Sequence, residues 1–344
     1  MGMITALRTT VVAPMRNEGP FIVEWVSWYR MLGFSEIVVL TNDCTDHSEA
    51  LLDAFAAAGW LHHQRCVIPQ GQSIYRCKMD AAMALRPVRR ANWVMVCDAD
   101  EFLVIHRGHG KLADLLADGP SATLGMAINW RVFGNNDVTE FADLPVTQQF
   151  FGALAKTSGM NSTFKTIHTH PRWFDGLGDH APVKLDIGKA QAETGLTWGQ
   201  GALHWANAAG KRLDWWTPGS PYIRRLPPED CDFSVAQLNH YMLRSAETFS
   251  LKQGAPSPSA LKDRYTDGYW DRANEVTEID TSVVRMVPEF DGVRAAAMAL
   301  PDVAALHYAC CADHVALIAE KAGRRADDDP RYGAFLAAAA AAQG

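Results

Sequence analysis

The sequence predicts an α/β protein with a largely parallel sheet, and two observations support this prediction. Over the first hundred residues, short β-branched runs alternate with amphipathic segments, as in a series of strand–helix units. The last apolar strand of this region leads directly into three carboxylates, Asp98, Asp100 and Glu101. Because ligands of open α/β sheets bind beyond the carboxyl ends of the strands, we expect these carboxylates to line a crevice.

Each element of this region has its own signal. The predicted order is strand 10–13, helix 21–32, strand 37–40, helix 46–58, strand 60–62, helix 78–85 and strand 93–97. We expect the first strand to stop at Pro14 and the first helix to end at Gly33. Asp46 and Glu49 have the spacing of a capping box. After residue 108 the pattern predicts long connections and an isolated strand at 125–130, and helices dominate from about residue 259.

Composition and charge narrow the class of protein. Among the 344 residues, 48% are apolar, which is enough for a large globular core. No run approaches the roughly 20 uncharged apolar residues of a membrane span, and the first residues lack the apolar centre of a secretory signal. Seven scattered cysteines, an odd number, do not predict a disulfide framework. These features predict a cytoplasmic protein without a transmembrane segment, although peripheral association with a membrane stays possible.

The net charge of −7 argues against a nucleic-acid partner, because phosphate neutralisation requires a basic face. The acidic motif instead predicts a divalent metal. Asp98 and Asp100 would project to the same side of a strand, and a bound cation favours the ionised form of both. All-oxygen ligation favours Mg²⁺ or Mn²⁺ over zinc. Because side chains alternate along a strand, we expect Glu101 to point away from Asp98 and Asp100 and to have a structural role.

Several further motifs follow one another along the chain. They are Met15-Arg16-Asn17-Glu18, Thr41-Asn42-Asp43-Cys44-Thr45-Asp46, Asp98-Ala99-Asp100-Glu101, Trp130-x-x-Phe133-Gly134, Phe164-Lys165, His180-x-Pro182 and Asn239-His240-Tyr241. In these motifs the chain resembles the nucleotide-sugar-dependent glycosyltransferases of GT-A fold, specifically a bacterial family 2-like group related to glycosyltransferase family 92. The resemblance extends from about residue 9 to residue 254.

The resemblance implies the GT-A fold, a Rossmann-like mixed sheet flanked by helices, with a helical C-terminal extension. It divides the chain into a glycosyltransferase domain at 1–254 and the extension at 255–344. The domain comprises a nucleotide-binding half at 1–108 and an acceptor half at 109–254. The segment 256–258, Pro-Ser-Pro, is the best candidate for a linker.

The resemblance also implies an activity, the metal-dependent transfer of a sugar from a nucleotide-sugar such as a UDP-sugar to a glycan, a polysaccharide or another hydroxyl acceptor. We expect the transfer to invert the anomeric centre. The expected donor-binding residues are Arg16, Asn17, Glu18, Asn42, Asp43, Asp98, Trp130 and Lys165. The expected ligands of Mn²⁺ or Mg²⁺ are Asp98, Asp100 and His240, although His240 fits an ordinary core position equally well.

Inversion requires a general base, and the sequence leaves three candidates unranked, Asp137, Asp179 and His180. Two other functions stay open on the residues alone. A phosphatase can also place Asp-x-Asp after an apolar strand, although usually on its first strand. A protein that binds glycans or nucleotides without catalysis can use the same scaffold. A zinc site on the helix that carries His307 and Cys311 is disfavoured, because their spacing is not a recognised zinc motif.

Overall fold

The computed structural model describes residues 7–117, 123–199, 203–254 and 263–343. Its helices are α1 (Gly19–Leu32), α2 (Ser48–Ala57), α3 (Ile74–Ala84), α4 (Arg86–Arg89), α5 (Leu112–Leu116), α6 (Val146–Gln149), α7 (Ile187–Thr194), α8 (Ala246–Ser250), α9 (Asp267–Ala273), α10 (Val287–Met298), α11 (Val303–Lys321) and α12 (Pro330–Ala341). Its strands are β1 (Thr9–Met15), β2 (Glu36–Thr41), β3 (His62–Arg65), β4 (Trp93–Val96), β5 (Glu101–Ile105), β6 (Thr123–Val132), β7 (Gly152–Ala153), β8 (Phe164–Thr169), β9 (Phe174–Gly176), β10 (Val183–Leu185), β11 (His204–Asn207), β12 (Ala236–His240) and β13 (Glu278–Ile279). The predicted linker at 256–258 lies outside the described residues.

A mixed sheet forms the centre of the molecule. Within the described residues it has nine strands in the order β3-β2-β1-β4-β8-β6-β12-β5, and β11 pairs with the first part of β6. Strands β3, β2, β1 and β4 run parallel to one another, as the alternating pattern predicted. Strand β8 runs antiparallel to both of its neighbours, and β5 runs antiparallel to β12. The sheet with its flanking helices confirms the predicted mixed α/β fold.

Four local predictions were wrong. The strand expected at 60–62 is β3 at His62–Arg65, because the apolar pair Trp60-Leu61 precedes the strand and does not belong to it. Strand β1 continues through Pro14 to Met15, because β1 pairs with β4 only as far as Val12 and a proline is tolerated where one neighbouring strand has ended. Helix α2 begins at Ser48, and Glu49 binds Thr41 and Arg65 instead of capping the helix. The strand expected to be isolated at 125–130 is β6, which lies inside the sheet.

Helix α1 connects the core to the acidic motif. Trp25, Trp28 and Tyr29 are fully buried, and each donates a side-chain hydrogen bond to a backbone carbonyl between residues 98 and 103. The donor–acceptor distances are 3.0, 2.9 and 3.1 Å. Because three rigid aromatic side chains hold this backbone, the position of the acidic motif depends on the packing of α1. The helix ends at Gly33 with a φ of 94°, as predicted.

The C-terminal helices pack on the other side of α1. The ring centroid of Phe290 in α10 lies 5.5 Å from that of Trp28. Among the described helices, α11 is the one whose length and mean hydropathy of 1.2 would suffice to cross a membrane. Its residues Val303, Cys311 and Val315 are buried in the same hydrophobic cluster as α1. Packing in the core therefore accounts for the apolar composition of α11.

Glu24 of α1 holds the first residues of α6 in place. Its carboxylate accepts hydrogen bonds from the backbone N–H groups of Val146 and Thr147, at 2.8 and 3.0 Å, and from the Thr147 hydroxyl at 2.8 Å. Glu24 is 4% exposed. We expect Glu24→Ala to lower the free energy of unfolding by about 3 kcal/mol, because it leaves buried donors unpaired. Urea denaturation followed by circular dichroism measures this change.

The matched control is Glu275→Ala, which truncates an exposed glutamate. We expect it to change the free energy of unfolding by less than about 0.5 kcal/mol. An equal effect of the two substitutions would show that the Glu24 hydrogen bonds do not stabilise the fold.

Candidate active site

The acidic motif lies in the turn 97–100 between β4 and β5, and not within one strand as expected. Strand alternation therefore does not apply to it. Asp98 and Asp100 contact different cations, Lys165 and Lys252 respectively. Glu101, the first residue of β5, was expected to point away, but its Oε2 accepts the backbone N–H of Asp98 at 2.9 Å. The turn thus separates the two aspartates and brings Glu101 beside the first of them.

Lys165 of β8 is the centre of one charged cluster. Its Nζ lies 2.9 Å from Asp98 Oδ2 and 3.4 Å from Glu101 Oε2, and it also donates to Asp179 Oδ1. The side chain is fully buried, which by itself lowers the pKa of a lysine, but Asp179 and Asp98 raise the pKa of Lys165 well above its ordinary value. The ammonium is enclosed by carboxylates of the protein. Its expected contact with a diphosphate stays a prediction.

The carboxyl groups around Lys165 respond in opposite directions. Burial raises the pKa of Glu101 well above its ordinary value, and the Oε1 atom of Glu101 has no hydrogen-bond partner. For Asp179 burial also acts upward, but the Lys165 ammonium, with a smaller contribution from His180, lowers the pKa below its ordinary value. Asp179 is therefore kept as a carboxylate, whereas the protonated form of Glu101 is favoured.

Asp100 is the centre of a second cluster. Its Oδ2 accepts a hydrogen bond from Lys252 Nζ at 3.2 Å, and its Oδ1 lies 3.4 Å from His240 Nε2. Burial opposes ionisation, but Lys252 and His240 hold the pKa of Asp100 well below its ordinary value. His240 ends β12 directly opposite Glu101 in the sheet. Its Nδ1 is buried and without a hydrogen-bond partner.

Trp130 of β6 lies between the two clusters. Its ring centroid is 4.2 Å from that of His240 and 5.5 Å from that of His180. The Nε1–H of Trp130 is buried and unpaired. Trp130 Nε1 and His240 Nδ1 are thus two buried polar atoms that no described residue satisfies, and leaving such atoms unpaired is costly.

The ends of β1 and β2 meet at the same edge of the sheet, as predicted. The Nε of Arg16 donates to the carbonyl of Asp43 at 3.3 Å, and the Asn17 amide forms two hydrogen bonds with Thr45, at 2.8 and 2.9 Å. Asn42 Nδ2 donates to Asp43 Oδ2 at 2.9 Å. Asn17 and Asp43 have positive φ angles of 53° and 46°, values that asparagine and aspartate tolerate better than most residues.

Arg244 joins this edge to the acidic turn. Its guanidinium donates to Glu18 Oε2 at 2.8 Å and to the carbonyl of Ala99 at 3.1 Å, and it lies 3.5 Å from the ring centroid of Phe21. Arg244 is 3% exposed. The segments 16–18, 41–46 and 98–101 therefore meet at one edge of the sheet, as the sequence predicted, and we call this edge the crevice.

The structure separates the three candidate bases. Asp179 and His180 adjoin the Lys165 cluster, with His180 Nε2 3.4 Å from Asp179 Oδ2. His180 Nδ1 lies 2.9 Å from the carbonyl of Phe164, and burial lowers the pKa of His180. Asp137 is exposed in the turn after β6, and no hydrogen bond or ion pair between described residues joins it to this cluster.

Sequence reasoning missed several residues of the crevice. The hydroxyl of Tyr75 is buried without a hydrogen-bond partner and interacts with the charges of Asp179, Lys165 and Asp98. The guanidinium of Arg264 interacts with Asp100 and Asp179. Neither residue belongs to a motif.

Sequence reasoning also missed Lys78 in α3, although the sequence pattern of this helix could have identified it. Its ammonium donates to the carbonyl of Met15 at 2.9 Å, and burial lowers the pKa of Lys78 to about 8. Lys78 is buried together with Met79 and Ala82, on the apolar face of the helix. A lysine on an apolar helix face is the pattern that could have identified it.

The disfavoured zinc alternative concerned helix α11. His307 and Cys311 do come together, with His307 Nε2 2.9 Å from Asp143 Oδ1 and 3.8 Å from Cys311 Sγ. His314 of the same helix points elsewhere, because its Nε2 lies 3.0 Å from the hydroxyl of Thr248. Arg294 also approaches Asp143, to 3.6 Å, and already supplies a positive charge there.

The fold and the crevice define an α/β enzyme whose acidic, cation-lined site lies beyond the carboxyl ends of its parallel strands. The sequence model described as glycosyltransferase family 92 matches residues 9–189. This match covers more than half of the chain, so the chain belongs to glycosyltransferase family 92 and is a glycosyltransferase. The resemblance in the sequence motifs is thereby confirmed. No curated protein sequence matches the chain significantly.

Solved structures with some similarity include TarS of S. aureus, at 13% identity and a TM-score of 0.31, with 48% of this chain and 28% of TarS covered. The chain thus spans 28% of the length of that protein. A second is TarS 1-349 in complex with UDP, at 11% identity and a TM-score of 0.33, with 96% of this chain and 90% of that chain covered. Similarity this low identifies neither a shared fold nor a shared activity.

The Lys165 cluster leads to a prediction about pH. We expect Lys165→Met to lower the free energy of unfolding at pH 7 by about 3–5 kcal/mol, because buried carboxylates lose their counter-ion. In the unmodified protein the lowered pKa of Asp179 contributes stability that is lost as the pH falls through that pKa. Without the cation the pKa of the carboxylates rises, so the variant should gain stability from pH 8 to pH 5. Urea denaturation across this range measures it.

Lys189→Met is the control, since Lys189 pairs with Asp186 at 3.2 Å on the surface and its side chain is 60% exposed. We expect a loss below about 1 kcal/mol at every pH. A Lys165 variant with the pH dependence of the unmodified protein would refute the assigned charge of the cluster.

Proposed function

We propose that this glycosyltransferase moves a sugar from a nucleotide-sugar, specifically a UDP-sugar, to a hydroxyl of a glycan or polysaccharide acceptor, with Mn²⁺ as cofactor and with inversion of the anomeric centre. Family membership supports the transferase and disfavours the phosphatase alternative. The observation that carries the finer proposal is the crevice itself. Asp100 and His240 face each other there at 3.4 Å, and the ring of Trp130 lies between His240 and His180, the neighbour of Asp179.

The donor nucleotide fits the edge formed by β1 and β2. Arg16, Asn17 and Asn42 supply hydrogen-bond donors and acceptors there, and the carboxylates of Glu18 and Asp43 suit the hydroxyls of a ribose. Asn42 Oδ1 is buried without a partner, so its hydrogen-bonding capacity is not used within the described residues. The edge lies beyond the ends of parallel strands, where α/β proteins bind nucleotides.

The residues of the second cluster fit a divalent metal. The 3.4 Å separation of Asp100 Oδ1 and His240 Nε2 lets both atoms contact one ion at about 2.1 Å each. An imidazole beside a carboxylate favours Mn²⁺ over Mg²⁺, which prefers oxygen ligands. Asp98 Oδ2 already accepts from Lys165, so Asp98 contributes least to the metal among the three expected ligands. The bound metal would neutralise charge on the departing diphosphate.

Two basic side chains of this chain suit the same diphosphate. Lys252 Nζ, which contacts Asp100 Oδ2, is 20% exposed and can turn toward a phosphate oxygen. Arg264 lies within electrostatic reach of both Asp100 and Asp179. Fixed positive charges beside the leaving group stabilise the negative charge that develops there.

Asp179 is the base we favour among the three candidates. It is held as a carboxylate, and its side chain remains 29% exposed. His180 and Lys165 fix its orientation from two sides. Asp179 would take the proton of the acceptor hydroxyl as the acceptor oxygen attacks the anomeric carbon from the face opposite the diphosphate.

We also propose that the protein acts in the cytoplasm and takes its UDP-sugar donor from there. The support is the reduced state of the cysteines that the structure describes, none of which forms a disulfide. Peripheral contact with a membrane-bound acceptor is compatible with this location.

We expect Mn²⁺ and UDP together to raise the Tm by more than the sum of their separate effects, because each completes the binding site of the other. A ligand at 100 times its Kd stabilises the folded state by about 2.7 kcal/mol. Asp100→Ala and His240→Ala should remove the synergy but not the folding. Differential scanning fluorimetry measures all of these combinations.

The control is Asp327→Ala, which removes an exposed carboxylate paired with Arg325 at 3.1 Å. It should leave the synergy intact. If Asp100→Ala responds to Mn²⁺ and UDP like the unmodified protein, the metal assignment is wrong.

We expect Asp179→Asn to lower kcat for transfer by about 10²–10⁴-fold, because the base is lost while the side chain keeps its size. The Mn²⁺–UDP synergy in Tm should persist, since Asp179 does not contact the metal residues. Asp137→Asn is the control, and its kcat should match that of the unmodified protein. A large loss in Asp137→Asn with none in Asp179→Asn would reverse the assignment. Steady-state release of UDP from a panel of UDP-sugars provides the measurement.

A further inference from the structure

A cavity of about 380 Å³ lies beside the candidate base. Ala181 and Pro182, the two residues that follow His180, form part of its wall. Tyr222 forms another part, and its hydroxyl accepts the backbone N–H of His180 at 2.7 Å. The cavity and the candidate base therefore share the segment 179–182.

The interior of the cavity is apolar. Trp205 and Trp216 stack on each other with centroids 4.4 Å apart and an interplanar angle of 12°, and they are 3% and 6% exposed. Phe174, Leu185 and Ile223 are further lining residues. These side chains belong to, or pack against, a hydrophobic cluster separate from the one around α1. The cavity is therefore built into a packed part of the protein.

Polar side chains occur mainly at the rim. Lys184 has a side chain that is 76% exposed, and the hydroxyls of Thr217 and Ser220 lie 3.3 Å apart and contact each other. A fully hydroxylated sugar ring inside the cavity would leave several hydroxyls without partners, at a cost of about 1–3 kcal/mol each. An alkyl or aryl group would instead gain free energy from leaving water.

We propose that this cavity binds an apolar alkyl or aryl group that the acceptor carries near its reacting hydroxyl. The inference rests on the proposed function, because it places the acceptor by the segment 179–182, which carries Asp179 and part of the cavity wall. In the transfer, the acceptor oxygen bonds to the anomeric carbon and the bond from that carbon to the diphosphate oxygen breaks. The proton goes to Asp179, and the nucleoside diphosphate leaves with the electron pair.

Isothermal titration calorimetry with methyl, butyl, hexyl and octyl β-D-glucopyranoside, each below its micellar concentration, tests the proposal. The alkyl chain is the variable in this series, because every compound carries the same glucose group. We expect Kd to fall about 4-fold for each methylene that becomes buried, and to stop falling once the cavity is full. A plateau within the series distinguishes a cavity of fixed size from adsorption to the surface, which has no length limit.

Two variants of one lining residue serve as the structural test. Ile223→Asp places a charge in the cavity and should abolish the dependence of Kd on chain length. Ile223→Ala removes apolar surface without a charge and should reduce the dependence, so the test survives if the aspartate variant does not fold. Val284→Asp is the matched control, because Val284 is 50% exposed and does not line the cavity. Its titrations should equal those of the unmodified protein.

Two results would overturn the proposal. One is a Kd that does not depend on the length of the alkyl chain, and the other is a dependence in both Ile223 variants equal to that of the unmodified protein. Its failure is distinguishable from failure of the proposed function, because the Mn²⁺–UDP synergy in Tm does not involve Ile223. Retained synergy without chain-length dependence would refute the apolar acceptor alone. Chain-length dependence without synergy would refute the donor site, and with it the role of the cavity in transfer.

Discussion

The ion cluster around Lys165 is the interaction on which the crevice depends. One fully buried ammonium is shared by Asp98 from the acidic turn, Glu101 from β5 and Asp179 from a distant loop. Removing a charge from water is costly, so such a cluster persists only if its geometry is held from all sides. Here β8 carries the lysine into the sheet between β4 and β6, which fixes its position.

The same constraint explains why the two aspartates of the motif differ. Asp98 is turned toward Lys165, whereas Asp100 faces His240 and Lys252. The carbonyl of Asp98 accepts a hydrogen bond from Trp25 of α1, and the carbonyl of Asp100 accepts one from the N–H of Tyr241 at 2.9 Å. One aspartate therefore belongs to the protein's own charge balance. Asp100 is held by His240 and Lys252, and it is the carboxylate that we propose as a metal ligand.

Much of the first half of the chain was predictable from local patterns. Alternating apolar runs identified β1, β2 and β4, because these strands are almost entirely buried, whereas β3 is a partly exposed polar strand at the sheet edge. The motifs identified the family over residues 9–189. The second half was harder to predict, because β8, β11 and β12 are short and pair with strands distant in sequence. Long-range contacts of this kind bring together Asp179, Arg264 and Tyr75. Their spacing in the sequence does not predict that they lie close to one another.

The sequence by itself determined the α/β class, the crevice formed by the ends of β1, β2 and β4, and the family. These depend on local periodicity and on short motifs, which a single sequence displays. Only the tertiary structure decided which cation each carboxylate contacts, the direction of Glu101, and the separation of Asp137 from Asp179. Those outcomes depend on distances between elements far apart in the chain, and on burial, which sets the charge of each group.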